Sequence, residues 1–330
     1  MKLTRRTFVK LAGIAGIVGL TGTLAGCENK SANISKNVAV AEKIPPPDKA
    51  TVYFSKTIDA DHLIKLYNKI NSEITGKVAI KLHTGEPNGP NILRPELVAP
   101  FQAQIPNSTI IEANVAYGGA RSTTERHRKT LKTNGWTFCP VDIIDEDGDV
   151  DFPVSGGFHL KSVAMGSHLT NYDSLIVLTH FKGHAMGGFG GSLKNIAIGC
   201  ASGKVGKEQI HGKDWVTGDV LMERMADSGK AICNHFGRSI AYINVLNRLS
   251  VDCDCVGAGA SAPELPDLGI LASTDIVAID QAAVDMIYNF PDERKYSLIT
   301  RIESRGGLRQ LSAMEQHQMG TTNYELIEID

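Results

Sequence analysis

The sequence predicts a single large α/β domain built on a mostly parallel sheet flanked by helices. Two patterns carry this. Short β-branched runs alternate with amphipathic helical windows along most of the chain. The Ser174–Thr179 run is apolar almost throughout, as a strand covered on both faces would be. No internal linker interrupts the alternation after residue 50, so one domain is expected over residues 51–330.

The elements follow in order. Thr51–Phe54 reads as a strand. Asp59 can cap a helix whose Leu63, Leu66, Tyr67, Ile70 and Ile74 recur at helical spacing. Lys77–Leu82 is a strand, and Pro95–Ile105 a helix with proline in its first turn. Thr109–Val115 is a strand. Thr123–Thr133 is a charged helix closed by Asn134-Gly135. Thr137–Ile144 is a strand and Asp145–Asp151 an acidic turn. After Ser174–Thr179 comes a glycine-rich loop, and Ser192–Ile198 opens a helix. Gly218–Phe236 is a helix, Ser239–Val245 a strand, Ala278–Asn289 and Leu308–Gln318 helices, and Tyr324–Ile329 a last strand.

Composition excludes several classes. The 330 residues hold 34 Lys+Arg against 36 Asp+Glu, a net charge of −2, which argues against a nucleic-acid binder. Six cysteines are too few for a disulfide scaffold of this length. No apolar run reaches the ~20 residues of a membrane-spanning helix.

The first 26 residues read as an export signal. Thr4-Arg5-Arg6-Thr7-Phe8-Val9-Lys10 is a twin-arginine motif, followed by a short apolar stretch from Leu11 to Leu24. Leu24-Ala25-Gly26-Cys27 then resembles a lipobox, which would place a lipid on Cys27. Residues 27–50, with Pro45-Pro46-Pro47, read as a tether. Without its first 26 residues the chain loses four basic groups, leaving 30 against 36 acidic ones and a net charge of −6. The expected location is the extracytoplasmic face of a bacterial membrane. The expected partners are the twin-arginine export machinery and the membrane. Twin-arginine export moves folded proteins, which raises the expectation of a metal or redox group inserted beforehand.

Four strand ends carry unusual residues, and in open α/β sheets ligands bind beyond the carboxyl ends of strands. His83 and Glu86 follow the second strand, and Arg121 follows the third. His180, Lys182 and His184 follow Ser174–Thr179. Asp252, Cys253 and Cys255 follow Ser239–Val245. His83, Glu86, Lys182 and Asp252 are candidates for proton transfer. In His180–Cys200, Gly188, Gly190 and Gly191 permit close backbone approach to a ligand, and a helix opening at Ser192 would favour an anion at its N-terminus. Lys194, Asn195 and Arg121 would complete such a cofactor site. His180 and His184 are four apart, but Gly183 and the preceding strand speak against helical spacing. Cys253 and Cys255, with Cys200, His211 or the histidine pair, could hold a soft metal. Disulfides and free thiols are the alternatives. No C-x-x-C pair is present for a ferredoxin-type cluster.

Several longer motifs resemble a known family. They are Val78-Ala79-Ile80-Lys81-Leu82-His83-Thr84-Gly85-Glu86, Arg94-Pro95-Glu96-Leu97, Tyr117-Gly118-Gly119-Ala120-Arg121, the His180–Cys200 segment, Asp252-Cys253-Asp254-Cys255, Pro266–Ser273 and Ala278–Ala282. On these the chain resembles the domain-of-unknown-function family numbered 362, whose members are often described as iron-sulfur proteins. Many members carry a four-cysteine ferredoxin-like insert after the segment resembling Gly203–His211. Here Lys207–Gly212 runs directly into the next helix. The resemblance implies a core of His83, Arg121, His180, Lys182, His184, Lys194, Asn195, Cys200, His211, Cys253 and Cys255, without a settled reaction. The leading expectation is a lipid-anchored protein that binds a transition metal, metal-cofactor or iron-sulfur cluster, with a redox-related role. The rivals are a non-catalytic binder of an anionic small molecule, and a scaffold docking an iron-sulfur partner protein.

Overall fold

A computed structural model describes residues 45–330. The twin-arginine motif, the lipobox with Cys27 and the tether up to residue 44 lie outside the described residues. No described helix is long and apolar enough to cross a membrane.

The strands are β1 (Ala50–Ser55), β2 (Val78–Lys81), β3 (Ser108–Glu112), β4 (Val141–Ile143), β5 (Asp149–Pro153), β6 (Ser162–Gly166), β7 (Ser174–His180), β8 (Lys182–His184), β9 (Gly188–Gly190), β10 (Ile240–Leu246), β11 (Gly269–Ser273) and β12 (Tyr324–Glu328). The helices are α1 (Ala60–Tyr67), α2 (Pro95–Ala103), α3 (Thr124–Thr133), α4 (Ser192–Gly199), α5 (Gly206–His211), α6 (Asp219–Phe236), α7 (Ile276–Tyr288), α8 (Tyr296–Ser304) and α9 (Arg309–Gln316). Eight strands form one sheet in the order β12-β1-β11-β10-β7-β2-β3-β4. All neighbours pair in parallel except β11, which runs antiparallel to β1 and β10. The fold is therefore the mostly parallel α/β domain that the alternation implies.

Caps set the element boundaries. Asp59 accepts from the His62 N–H at the start of α1, and Thr123 from the Arg126 N–H at the start of α3. Asp275 accepts from the Val277 and Ala278 N–H groups, so α7 begins at Ile276, two residues before the sequence expectation. Two hairpins were not expected. β5 pairs with β6 where an acidic turn was anticipated, and β8 pairs with β9 inside the glycine-rich loop.

The sheet is covered on both faces, and its strands split their side chains by the two-residue period. Leu175 and Val177 of β7 enter one apolar layer; Ile176 and Leu178 enter the other. β2 leads into α2, whose Val98 and Phe101 pack in the Ile176 layer. β7 leads, through the β8–β9 hairpin, into α4, whose Leu193 and Ile196 pack in the Val177 layer. Adjacent strands β2 and β7 thus send their connections to opposite faces. A crevice opens at their carboxyl ends, where such switch points place ligands.

Candidate functional site

His83 follows β2, and the Cys253–Cys255 loop follows β10, so both arrive at this crevice. The two sulfurs lie 2.8 Å apart, and the Cys255 N–H donates to the Cys253 sulfur at 3.4 Å. His83 Nε2 is 3.5 Å from Cys255 Sγ. One donor atom from each of His83, Cys253 and Cys255 falls within 4.8 Å of the others. The three donors can converge on one ion: the 3.5 Å between His83 Nε2 and Cys255 Sγ suits tetrahedral bonds, and the sulfurs would open from 2.8 Å to roughly 3.7 Å on two Zn–S bonds of about 2.3 Å.

The sulfur pair shares a proton unequally. Donation from Cys255 holds the Cys253 thiol well below its usual value, against burial, and Lys194 and His184 add to this. Cys255 is pushed well above its usual value, because losing its proton would leave a second buried thiolate beside the first. Lys194 Nζ stands 3.9 Å from Cys253 Sγ. His184 Nδ1 accepts from the Met186 and Gly187 N–H groups at 3.3 and 2.9 Å, which leaves its ring proton on Nε2 to donate to Cys253. His83 is less well satisfied. Its Nδ1 accepts from the Gly85 N–H at 3.0 Å, while its Nε2 faces the Arg121 guanidinium at 3.3 Å. Burial, then Arg121, keep the ring neutral. A neutral imidazole has one acceptor nitrogen, so it cannot serve both donors.

An ion network supports this arrangement from beneath. Arg121 donates to Glu86 at 2.8 Å, to Glu112 at 3.2 Å and to the Tyr117 hydroxyl at 3.2 Å. Lys81 pairs with Glu112 at 3.4 Å and donates to the Leu82 carbonyl and to Asn195. Glu112 also accepts from the Thr84 and Ala113 N–H groups. Burial works to raise the Glu112 carboxyl, but Lys81 and Arg121 overcome it and hold the group ionised. Lys81 and Glu112 were not anticipated. Each ends its strand directly after an apolar run, Val78-Ala79-Ile80 and Ile110-Ile111, and a charge at that place was the available signal.

Several expected site residues take other places. Both ring nitrogens of His180 are taken by protein oxygens, at 2.9 Å from Asp254 and 2.8 Å from the Asn247 carbonyl, so His180 is not positioned as a metal ligand. Lys182 pairs with Asp254 at 3.0 Å. Together they clamp the residue between the two cysteines, which positions the sulfur pair rather than reaching it. Asp252 accepts from Ser261 and pairs with Arg301 away from the sulfurs, as a loop staple. Cys200 is fully buried in the apolar core, where burial pushes its thiol up to about 12, and it lies outside the trio of close donors. His184 and His211 line the cavity but fall outside the trio of close donors. Asn195 is spent on Lys81, Leu178 and Thr179. Glu86 and Arg121 are paired with each other.

The expected anion at the start of α4 is part of the protein. Asp280 accepts from the Ser192 and Leu193 N–H groups at 2.7 and 3.0 Å, and from Asn244 at 2.8 Å. The glycines serve this packing. A Cβ on Gly191 would sit 2.4 Å from Asp280 Oδ1, and one on Gly188 would sit 2.9 Å from the Gly307 backbone. Gly191→Ala should therefore cost about 1–3 kcal/mol by overpacking, read as a lower urea midpoint; an unchanged midpoint would contradict the packing argument. Burial outweighs the three donors and raises Asp280 to about 6. The folded value lies above the unfolded one, near ~3.9. Its stability contribution is then complete below about pH 4 and lost as pH rises through about 6. Asp280→Asn should remove a decline in stability across that window; an identical decline in both proteins would count against it.

Above the trio lies a cavity of about 300 Å³, at the small end of ligand pockets. Val115, Ala116, Met186, Ile198 and Trp215 give it an apolar wall, and its polar lining includes Lys81, Arg121, His184, Lys194, Lys207 and His211. Burial, the largest influence, lowers Lys207 to about 8 and His211 to about 4.

A search of curated proteins returns no match. Among solved structures, the lactate racemase apoprotein from Thermoanaerobacterium thermosaccharolyticum is 13% identical with a TM-score of 0.44, over 74% of this chain and 59% of that one. A Thermotoga maritima protein is 9% identical with a TM-score of 0.37, over 78% and 58%. The chain spans less than two thirds of either neighbour, and both likenesses are too distant to bear on its chemistry. Residues 78–285, which hold the trio, the ion network and the cavity wall, match the family model described as "Domain of unknown function (DUF362)", and the chain belongs to that family.

Proposed function

We propose that this protein binds a soft divalent metal, or a cofactor containing one, through Cys253 and Cys255 with His83 as third donor. The observation that carries the reading is the sulfur pair. Two sulfurs 2.8 Å apart, one of them with its thiol held well below the usual value by its neighbour, sit beside an imidazole in the crevice. Thiolates favour soft and borderline ions, and three protein donors leave a further position for a ligand from the cavity. The ion's own charge supplies what the pair lacks. It removes the cost of ionising Cys255 beside Cys253, and it offers His83 Nε2 a partner other than Arg121. When bound, such an ion would supply Lewis-acid or electron-transfer chemistry next to the cavity. The twin-arginine motif and Cys27 extend the proposal to a lipid-anchored, extracytoplasmic protein with a redox-related role.

The test is metal uptake by the full chain, purified anaerobically, stripped with a chelator and titrated with Zn²⁺, Ni²⁺ and Co²⁺. One equivalent per chain is expected, with thiolate-to-cobalt charge-transfer absorption. Substoichiometric uptake of all three ions by fully reduced protein would overturn the reading.

A further inference from the structure

Four cationic side chains border the cavity, and three are satisfied by the protein. Lys81 and Arg121 share Glu112, and Arg121 also holds Glu86. Lys207 donates to the Ala201 carbonyl at 2.6 Å and feels Asp145. Lys194 differs. It is 8% exposed, and its ammonium has the Cys253 sulfur at 3.9 Å and, unlike the other three, neither a carboxylate nor a carbonyl as hydrogen-bond partner among the described residues. His211 is equally buried, and its Nδ1 has no hydrogen-bond partner among the described residues. Burial and the Lys194 and Lys207 cations act on His211 in one direction, against a positive ring. Trp215 packs against the His211 ring, tilted by 32° with centroids 4.7 Å apart, and is 42% exposed.

We propose that this end of the cavity binds a small organic carboxylate with an apolar body, its head between Lys194 and His211. A buried cation without a carboxylate partner favours an anion there, and a charge-assisted hydrogen bond from ammonium to carboxylate is among the stronger polar contacts. The wall selects the rest of the ligand. Val115, Ala116, Met186 and Ile198 line one side with apolar surface and no side-chain donors, which an apolar body covers and a compact anion such as phosphate leaves unfilled. An amphipathic acid gives up little by leaving water on that side.

The site is linked to the metal, and this clause alone rests on the proposed metal centre. Without metal, Lys194 has the Cys253 sulfur as its partner at 3.9 Å. A metal bound to that sulfur withdraws the partner and releases Lys194 for the incoming carboxylate. Metal and carboxylate should therefore bind with positive coupling, and each should tighten the other by the same factor.

Isothermal titration of the full chain, first metal-free and then zinc-loaded, tests both parts with butyrate, butyramide and inorganic phosphate as probes. Metal-free protein should bind butyrate at least about tenfold more tightly than butyramide or phosphate, and Lys194→Met should erase that preference. Zinc should tighten butyrate by about tenfold, within the usual range of coupling. Butyramide or phosphate bound as tightly as butyrate, or butyrate affinity unchanged in Lys194→Met, would overturn the site. Should Lys194→Met fail to fold, His211→Phe is the second variant, with the same expected loss and the same overturning result. Zinc bound without any change in butyrate affinity would overturn the coupling. Zinc not bound at all would overturn the metal reading, while the metal-free titration would still decide the carboxylate site.

Discussion

Replacing Cys253 and Cys255 together by serine should weaken zinc binding by more than about a hundredfold and abolish the rise in melting temperature that zinc confers. A serine hydroxyl stays protonated near neutrality and is a harder donor, so neither the charge nor the softness of the site survives. The single variants should differ. Cys253 has the Lys194 ammonium at 3.9 Å and the His184 N–H as a donor, and these favour a thiolate at that position. Cys255 owes its raised value chiefly to its neighbour. Cys255→Ser leaves the Cys253 thiolate in place; Cys253→Ser leaves a thiol without that support. Cys253→Ser should be the costlier change, and His83→Ala the mildest, because the His83 nitrogens already face competing donors. Both cysteines sit in a loop outside the strands, so the metal-free variants should melt close to the metal-free parent. Competition titration with a chromophoric zinc chelator gives the affinities. The same zinc affinity in the double variant as in the parent would remove the centre from this loop.

Local signals made much of this fold readable, and distant partners hid the rest. Asp59 and Thr123 announce their helices because a cap is fixed by residues two or three positions away. The four chemistry-bearing strand ends do converge, because a parallel sheet brings its carboxyl ends to one edge. The β5 strand reads as an acidic turn because Asp149 and Asp151 face outward and mask the inward Val150 and Phe152. The glycine-rich loop looks like an anion cradle, but the anion is Asp280, 88 positions beyond Ser192. Nothing local to Gly191 reports that carboxylate. His180 likewise looks like a ligand until Asp254, 74 positions away, takes its Nδ1. His83 was placed among proton-transfer candidates, since sequence gives no distance from it to Cys255. Composition and spacing identify which residues can do chemistry. Which of them are already spent on one another depends on tertiary contacts.

Glu112 is where such spending has its largest structural consequence. Its carboxylate is 3% exposed and lies between Lys81 at 1% and Arg121 at 2%. Glu112→Ala would leave two buried cations without their shared partner, and loss of one member of a buried ion pair costs about 3–5 kcal/mol. The Thr84 N–H would also lose its acceptor, and Thr84 adjoins His83. The loss should therefore appear in both stability and zinc affinity. Exposure decides the scale. The Lys129–Glu125 pair on α3 has side chains 73% and 80% exposed, and breaking it should leave the urea midpoint unchanged. The pH dependence has a definite sign. Glu112 is held below its unfolded value, so its contribution is complete above about pH 4.3 and is lost as pH falls below that. Glu112→Ala should flatten that acid limb of the stability curve as well as lower its plateau. Restoring apolar balance with Lys81→Met in the Glu112→Gln background should recover part of the loss, because it removes one of the two stranded charges. Urea denaturation from pH 3 to 8 measures all of this. A Glu112→Ala plateau within about 1 kcal/mol of the parent would mean that the Lys81 and Arg121 charges are solvated by something other than this carboxylate.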